Sequence, residues 1–298
     1  MADATPRVAL VVKRSAYARA LDQPDDRMHE LLERGDPTVA VCSSWEAITL
    51  ATVKEVKEAL AECGAKFTRI RRRQFDDGEF DLVVTVGGDG TLLRASHNLG
   101  HTPVLGINSA PSSSVGFFCG ARKGEVLPAI KSALAVELER AELNRMQVVV
   151  NGEVVHARVL NDALFCHQSP AATSRYIIAY DGVEEEQKSS GFWVGPAAGS
   201  TAAQRSAGGA VLPLVSKQLQ VVVREPYSPN GEPNELAHVL VDEGRELVVR
   251  SKSRKMRLYL DGPDTIVRVT LGDVITFSSA PEPLRLLGLS PNRNEPSG

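Results

Sequence analysis

The stretch Leu82-Val83-Val84-Thr85-Val86-Gly87-Gly88-Asp89-Gly90-Thr91-Leu92-Leu93-Arg94 constrains this chain more than any other. A β-branched apolar run stops at glycines, and apolar residues at helical spacing begin at once and run to Gly100, which predicts strand, tight turn and helix. Glycines let backbone approach a ligand without a Cβ in the way, and free N–H groups at a helix start attract phosphate. The turn therefore reads as a phosphate cradle holding one carboxylate, Asp89. A carboxylate there could take a proton from an attacking hydroxyl or hold a magnesium ion, and both roles point to phosphoryl transfer. The alternative is a plain strand-to-helix turn whose Asp caps the helix.

Around this stretch the chain reads in two halves. Val8 to Val12, Val39 to Cys42, Leu82 to Val86 and Pro103 to Asn108 are short apolar runs that predict buried parallel strands. Residues 15–37 read as irregular. Ser43 with Glu46 forms a capping-box signature ahead of a helix carrying Trp45, Ile48, Val53, Val56, Leu60 and Cys63, with Gly64 as its stop. Alternating strands and helices imply a Rossmann-like α/β domain, whose ligands sit beyond the carboxyl ends of the strands. Glu125 to Leu143 reads as a connecting helix. Beyond it come short strands with Asn151-Gly152, Asp181-Gly182 and Asp261-Gly262 as turn dipeptides, which predicts an all-β sandwich. Arg158 to Phe165 is among those strands, and the tail from Pro281 to Leu289 is apolar enough to fold back on the first domain. The expected division is 1–120, 121–277 and a tail of 278–298.

Two further stretches resist a purely structural reading. Asn161-Asp162 places an amide and a carboxylate inside an apolar strand, where they could read hydroxyls or an adenine edge, or simply mark a strand end. Gly191 to Gly209 runs from an aromatic strand into small residues carrying Ser200, Thr201 and Ser206. A large flat ligand could lie against such a backbone; a flexible linker is the other reading.

Composition narrows the class. At 298 residues, with 43% hydrophobic residues, 24% charged and a net charge of -3, the chain has room for about two domains and is a poor general nucleic-acid binder. Arg69, Arg71, Arg72 and Arg73 form the dense basic run, read as a solvated strand end. Cys42, Cys63, Cys119 and Cys166 lack the paired spacing of zinc or redox motifs, so they read as buried thiols in a reducing compartment, and no metal-ligand set is visible. The run before Lys13-Arg14 is too short for a signal or a membrane span, so no membrane partner and a cytoplasmic location are expected.

Taken together, Gly87-Gly88-Asp89-Gly90-Thr91, Asn161-Asp162, Gly199-Ser200-Thr201-Ala202 with Ser206-Ala207-Gly208-Gly209, and Asp261-Gly262 resemble the NAD kinase family, in that order and over nearly the whole chain. The resemblance implies an N-terminal α/β domain, a C-terminal β-sandwich, an active site in the cleft between them, and a homo-oligomer, dimer or tetramer. It implies transfer of a phosphoryl group from ATP with Mg²⁺ or another divalent metal, or from polyphosphate, to the adenosine-ribose 2′-hydroxyl of NAD or NADH. Asp89 would be the base, and Gly87, Gly88, Gly90, Thr91, Arg94, Asn108, Asn161, Asp162, Lys188, Gly199, Ser200, Thr201, Ala202 and Ser206 would hold the nucleotides.

Departures from the family pattern fall in the dinucleotide pocket. Asp162 stands for the usual Glu, Ser189-Ser190-Gly191 for Gly-Asp-Gly, Ala203 for a common Tyr, and Pro196-Ala197-Ala198 for Thr-Pro-Thr or Thr-Pro-Ser. The pattern is closer to the organellar and plant NADH-kinase-like branch than to the common bacterial one. Two rivals remain open: a lipid or sphingoid-base kinase, which shares the glycine turn, and a non-catalytic NAD(H)-binding sensor.

Overall fold

The structure, a computed structural model, describes residues 5–13, 26–39, 42–70, 79–228, 231 and 233–292. It divides into two compact units: 1–141 with 285–290, and 142–284 with 291–298. Residues 121–141, assigned above to the second domain, thus fall in the first unit.

The first unit is built on β1 (Arg7–Val12), β2 (Lys66–Ile70), β3 (Leu82–Gly87), β4 (Val104–Asn108), β5 (Ala121–Arg122) and β6 (Arg140–Leu143). The sheet runs β2-β1-β3-β4, continues through the last strand, Leu284–Leu287, to β6, and carries β5 beside β4. Every residue of β3 and β4 is buried, which is why both read as unbroken apolar runs rather than alternating ones. Val53, Val56 and Leu60 of the helix Cys42–Glu62 share a core with Val8, Leu10, Val84 and Ile107 of the sheet. Strand β1 pairs in parallel with β2 on one side and β3 on the other, so the chain's direction of winding reverses between β1 and β3. Open α/β sheets bind ligands at such a point.

Four expectations need correcting here. Cys42 opens a helix instead of ending a strand, and Val39 lies in a turn, while residues 40–41 and the Ser43 side chain of the predicted capping box lie outside the described residues. Within the supposedly irregular segment, Asp26–Glu33 is a helix, with Met28, Leu31 and Leu32 at helical spacing. The connecting helix covers only Val126–Leu134, and Arg140–Leu143 is strand β6. Its terminator is Val136 at φ +59°, where the amide of Glu137 reaches back to the carbonyl of Ser132 at 2.9 Å. This is a glycine's usual place at a helix end, taken by a β-branched residue, so nothing in the sequence marked it. Finally, Arg158 to Phe165 is not one strand, because the chain breaks at 160–162. Part of the basic run, residues 71–73, lies outside the described residues, and Arg69 sits on the exposed strand β2. The tail does return to the first unit's sheet: Leu286 and Leu287 pair in parallel with Val104 and Leu105.

The second unit holds β7 (Met146–Val150), β8 (Glu153–Val159), β9 (Ala163–His167), β10 (Ser174–Tyr180), β11 (Val183–Ser189) and β12 (Phe192–Pro196). It continues through β13 (Leu219–Val223), β14 (His238–Val241), β15 (Glu246–Ser251), β16 (Met256–Leu260), β17 (Thr265–Val269) and β18 (Val274–Ser279). These form two six-stranded sheets, β11-β10-β15-β18-β7-β8 and β14-β13-β12-β9-β16-β17. Their pairings are antiparallel. The sheets share a core in which Phe192 stacks on Phe165 of its own sheet at 5.0 Å. From the other sheet, Tyr176 and Phe277 meet Phe192 edge-on at 5.2 and 6.1 Å. Asn151-Gly152 and Asp181-Gly182 are tight turns with positive φ at both residues, as their strands' twist requires. Among the described residues no helix is long and apolar enough to cross a membrane.

Candidate active site

Strand β3 ends at Gly87, and the helix Asp89–Ser96 starts two residues later. A Cβ at Gly87 would lie 2.4 Å from the Thr91 hydroxyl oxygen and 2.9 Å from Cβ of Lys13, and one at Gly88 would lie 2.4 Å from the Ser114 hydroxyl oxygen. The two glycines are thus required by close approach from three directions. Gly90 is exposed, with the Arg94 guanidinium above it, 3.7 Å from where its Cβ would be. Thr91 is buried, and its amide donates to the carbonyl of Gly88 at 2.9 Å.

Asp89 does not cap its own helix. Its two oxygens accept hydrogen bonds from the amides of Phe117 and Phe118, at 2.9 and 2.8 Å. The carboxylate is partly exposed, and two of its roughly four lone-pair positions stay available to another donor or a cation. Its charge, after burial, also helps push the nearby Cys119 thiol up to about 12, so that thiol stays protonated. Asn108 builds the same loop: its amide nitrogen donates to Ser114 O at 2.9 Å, and its amide oxygen accepts from the Ala110 amide at 3.1 Å. Asn108 therefore shapes this end of β4 through bonds within the loop.

In the second unit, Asn161 and Asp162 occupy the break between β8 and β9. Asp261, at the end of β16, gathers that break. One of its oxygens accepts from the amides of Asn161 (2.7 Å) and Asp162 (3.0 Å), and the other accepts from Leu160 (2.8 Å). Asp162 is buried, and among the described residues its carboxylate accepts one hydrogen bond, from the Asn161 side-chain amide at 2.8 Å. Burial, then the charge of Asp261, push its carboxyl up to about 7, against the pull of the Asn161 bond. A buried carboxyl that titrates near neutrality with an unfilled oxygen can accept a ligand's hydroxyl or amide hydrogens.

The small-residue run packs directly on this break. A Cβ at Gly199 would lie 1.7 Å from the Asn161 carbonyl oxygen, and one at Gly195 would lie 2.4 Å from the same atom. Ala197–Gly199 is a single turn of 3₁₀ helix, and Ala203–Ser206 a short helix after it. Ser200 is fully buried: its hydroxyl donates to Ala197 O at 2.7 Å and accepts from the Leu212 amide at 3.0 Å. Ser200 thus closes the turn, whereas Thr201, Ala202 and Ser206 are wholly or partly accessible. These segments stand together, which excludes the linker reading. Lys188 stands elsewhere. On β11 it faces Arg175 across the ladder and lines a groove of about 410 Å³ that includes neither Asn161 nor Asp162.

Sequence reasoning missed several parts. Asp261 was visible as a turn residue and within the family-like Asp261-Gly262 motif, but its role as an acceptor for the 160–162 break was not. Gln204, fully buried, donates to the Asn161 carbonyl at 3.3 Å and accepts from Gln220 at 3.1 Å, and Gln220 in turn bonds both the amide and the carbonyl of Ala210. Two buried amides sixteen residues apart carry no local signature. Among the described residues no group of three or more His, Cys, Asp or Glu stands together as a metal site.

Comparison with known proteins agrees with this geometry. Residues 8–134 match the ATP-NAD kinase N-terminal domain. The chain is 34% identical over 252 residues to a probable NADH kinase of Oryza sativa subsp. japonica, covering 76% of this chain and 78% of that one. It is 35% identical over 252 residues to the NADH kinase of Arabidopsis thaliana, covering 76% and 79%, and 28% identical over 261 residues to the NAD kinase of Rhodopirellula baltica, covering 86% and 79%. Among solved structures, an NAD kinase from Archaeoglobus fulgidus in complex with ATP superposes with a TM-score of 0.68 at 22% identity, over 97% of this chain and 96% of that one. Yeast NADH kinase complexed with NADH gives 0.67 at 16% identity, over 98% and 85%. With the glycine turn, the Asn-Asp break and the small-residue run all in place, the chain belongs to the NAD kinase family.

Proposed function

We propose that the protein transfers the γ-phosphoryl group of ATP to the 2′-hydroxyl of the adenosine ribose of NAD or NADH, giving NADP or NADPH and ADP. The observation that carries this reading is Asp89: a carboxylate pinned by two backbone amides at the end of a glycine turn, with accepting positions left over. A lone acid so held orients a hydroxyl. The 2′-oxygen forms its bond to the γ-phosphorus as the bond from that phosphorus to the β,γ-bridging oxygen breaks, and the hydroxyl proton passes to Asp89 and on to water. Such a transfer asks little covalent chemistry of the protein, so most of the rate comes from holding the partners in line and offsetting charge.

Asn161 and Asp162 are the groups assigned to the nucleotide's hydroxyl or base edges, with Thr201, Ala202 and Ser206 beside them in the small-residue run. A Mg²⁺ ion carried on the triphosphate needs only one or two protein carboxylates, and the partly exposed Asp89 suits that demand. When bound, such an ion would neutralise charge on the donor's phosphate oxygens. The likeness to plant NADH kinases supports NADH among the acceptors. The family resemblance also supports a homo-oligomer, which light scattering of the purified chain tests.

The deciding experiment incubates the full chain with ATP or polyphosphate and Mg²⁺, against NAD and NADH separately, and detects the 2′-phosphorylated product by mass. Product with either acceptor is expected. No product with any pair would overturn the reading in favour of an NAD(H) sensor.

A further inference from the structure

We propose that Gln204 is a positioning residue of the dinucleotide site: backed by Gln220, it holds the peptide between Asn161 and Asp162 and so fixes where the Asp162 carboxyl points. The assignment rests on the reading above, in which Asn161 and Asp162 meet the nucleotide.

The peptide between Asn161 and Asp162 lies in the break between β8 and β9, outside the strand ladder, so its N–H and C=O need partners of their own. The N–H donates to Asp261 at 3.0 Å, and the C=O accepts from the side-chain amide of Gln204 at 3.3 Å. A planar peptide bonded at both edges resists rotation about its long axis, and that rotation is what would swing the Asp162 side chain. Asp261 alone would leave the carbonyl edge free. Glycines prepare the room for the second bond: a Cβ at Gly195 would lie 2.7 Å from the Gln204 amide nitrogen, and one at Gly199 would lie 3.0 Å from it.

The relay has a direction. Its far end is backbone: the Ala210 amide donates to the Gln220 oxygen at 2.7 Å, which turns the Gln220 NH₂ toward Ala210 O and the Gln204 oxygen, both at 3.1 Å. With its oxygen committed to Gln220, Gln204 presents its NH₂ to the Asn161 carbonyl. Neither amide can turn over without breaking bonds at the other. Both side chains are buried, where an apolar pair of similar volume would fill the same space, so what the amides add is a single orientation. Gln204 also joins two parts of the site. It stands on the short helix Ala203–Ser206, between the accessible Ala202 and Ser206, and its bond to Asn161 ties the small-residue run to the break.

Calorimetry on the full chain at about pH 8, where Asp162 is largely ionised, measures NAD and NADH binding to the wild type, Gln204→Leu, Gln220→Leu and Val249→Ala. Gln204→Leu is expected to lose about tenfold in dinucleotide affinity and Gln220→Leu about threefold. Val249→Ala, a change in the sandwich core, should lower the urea midpoint yet keep affinity within about twofold, which separates aiming from general loosening. Because Gln204 acts through Asp162, adding Gln204→Leu to Asp162→Asn should cost less than about threefold further. In turnover, Gln204→Leu raises KM for the dinucleotide by about tenfold while KM for ATP stays within about twofold. Wild-type affinity in Gln204→Leu, a full tenfold loss in the Asp162→Asn background, or a wild type that binds neither NAD nor NADH overturns the proposal. Should Gln204→Leu not fold, wild-type affinity in Gln220→Leu overturns it instead. Product formed with an unchanged dinucleotide KM in Gln204→Leu would sink the positioning role and leave the kinase reading standing; Gln204-dependent binding without product would do the reverse.

Discussion

Asp162 and Asp261 are joined in both directions. The amide of Asp162 donates to a carboxylate oxygen of Asp261 at 3.0 Å, and the amide of Asp261 donates to the carbonyl of Asp162 at 2.9 Å. The second acid thereby fixes the main chain of the first and places a negative charge beside its carboxyl. Two effects meet at one residue, and they can be separated by experiment.

Replacing Asp261 by Ala removes the acceptor for three amides, those of Leu160, Asn161 and Asp162. A buried amide left without its partner costs about 1–3 kcal/mol, and part of that loss is recovered from water at this partly exposed position. We expect destabilisation on the order of 2–4 kcal/mol in urea unfolding, together with a raised KM for the dinucleotide. Unchanged stability would show that these bonds do not hold the break together.

The raised pKa of Asp162 has a definite sign. Its folded-state value of about 7 lies above the ordinary 3.8, so the protonated form favours folding. That contribution is whole below about pH 4 and is lost as pH rises toward 7. In the absence of ligand, Asp162→Asn should gain stability relative to the wild type across that window, by roughly 4 kcal/mol at most. A ligand that donates hydrogen bonds to the carboxylate binds the ionised form. Dinucleotide affinity should therefore fall by up to about tenfold per pH unit below 7 in the wild type and stay flat in Asp162→Asn. Calorimetry at three pH values decides.

Asp89→Asn changes more than a charge. The side chain would keep one acceptor and turn an NH₂ toward one of the two amides of Phe117 and Phe118 that Asp89 now receives. We expect kcat to fall by about 10²–10⁴-fold and stability by about 1–3 kcal/mol, measured by steady-state assay and thermal unfolding. Near-wild-type turnover would remove Asp89 from the chemistry.

Gly199 and Gly182 offer a matched pair. A Cβ at Gly199 would overlap the Asn161 carbonyl oxygen at 1.7 Å, whereas at Gly182, φ +85°, it would meet nothing within 4 Å. Gly182→Ala should cost about 1 kcal/mol from backbone strain alone. Gly199→Ala should cost about 3 kcal/mol or more and abolish dinucleotide binding, because the whole turn must move.

The buried pair Gln204 and Gln220 suits a double-mutant cycle with Leu at each position. Each single change strands the other amide, so the coupling energy should reach about 1–3 kcal/mol, read from urea midpoints.

What could be read from the sequence follows a physical line. The strand-turn-helix at Gly87 to Gly90 was legible because glycine, β-branching and helical spacing are all local. The turns at Asn151-Gly152 and Asp181-Gly182 were legible for the same reason. The partners of Asp89 were not, since they are backbone amides twenty-eight and twenty-nine positions away, and an amide has no letter in a sequence. The clamp on Asn161-Asp162 escaped likewise, its anchor lying about a hundred residues on, at Asp261. The helix end at Val136 went unseen because tertiary packing overrode local preference there. The place of Lys188 depended on strand register, which sets it opposite Arg175 on the neighbouring strand.

The strand Leu284–Leu287, lodged between β4 and β6, has a consequence for biogenesis. A ribosome making this protein finishes the whole sandwich before it releases the segment that completes the first unit's sheet. Until then the flank of β4 that receives Leu286 and Leu287 is open to any strand that passes, its own or a neighbour's. The nascent first unit must wait with an unsealed seam, which is where a chaperone would have most to guard.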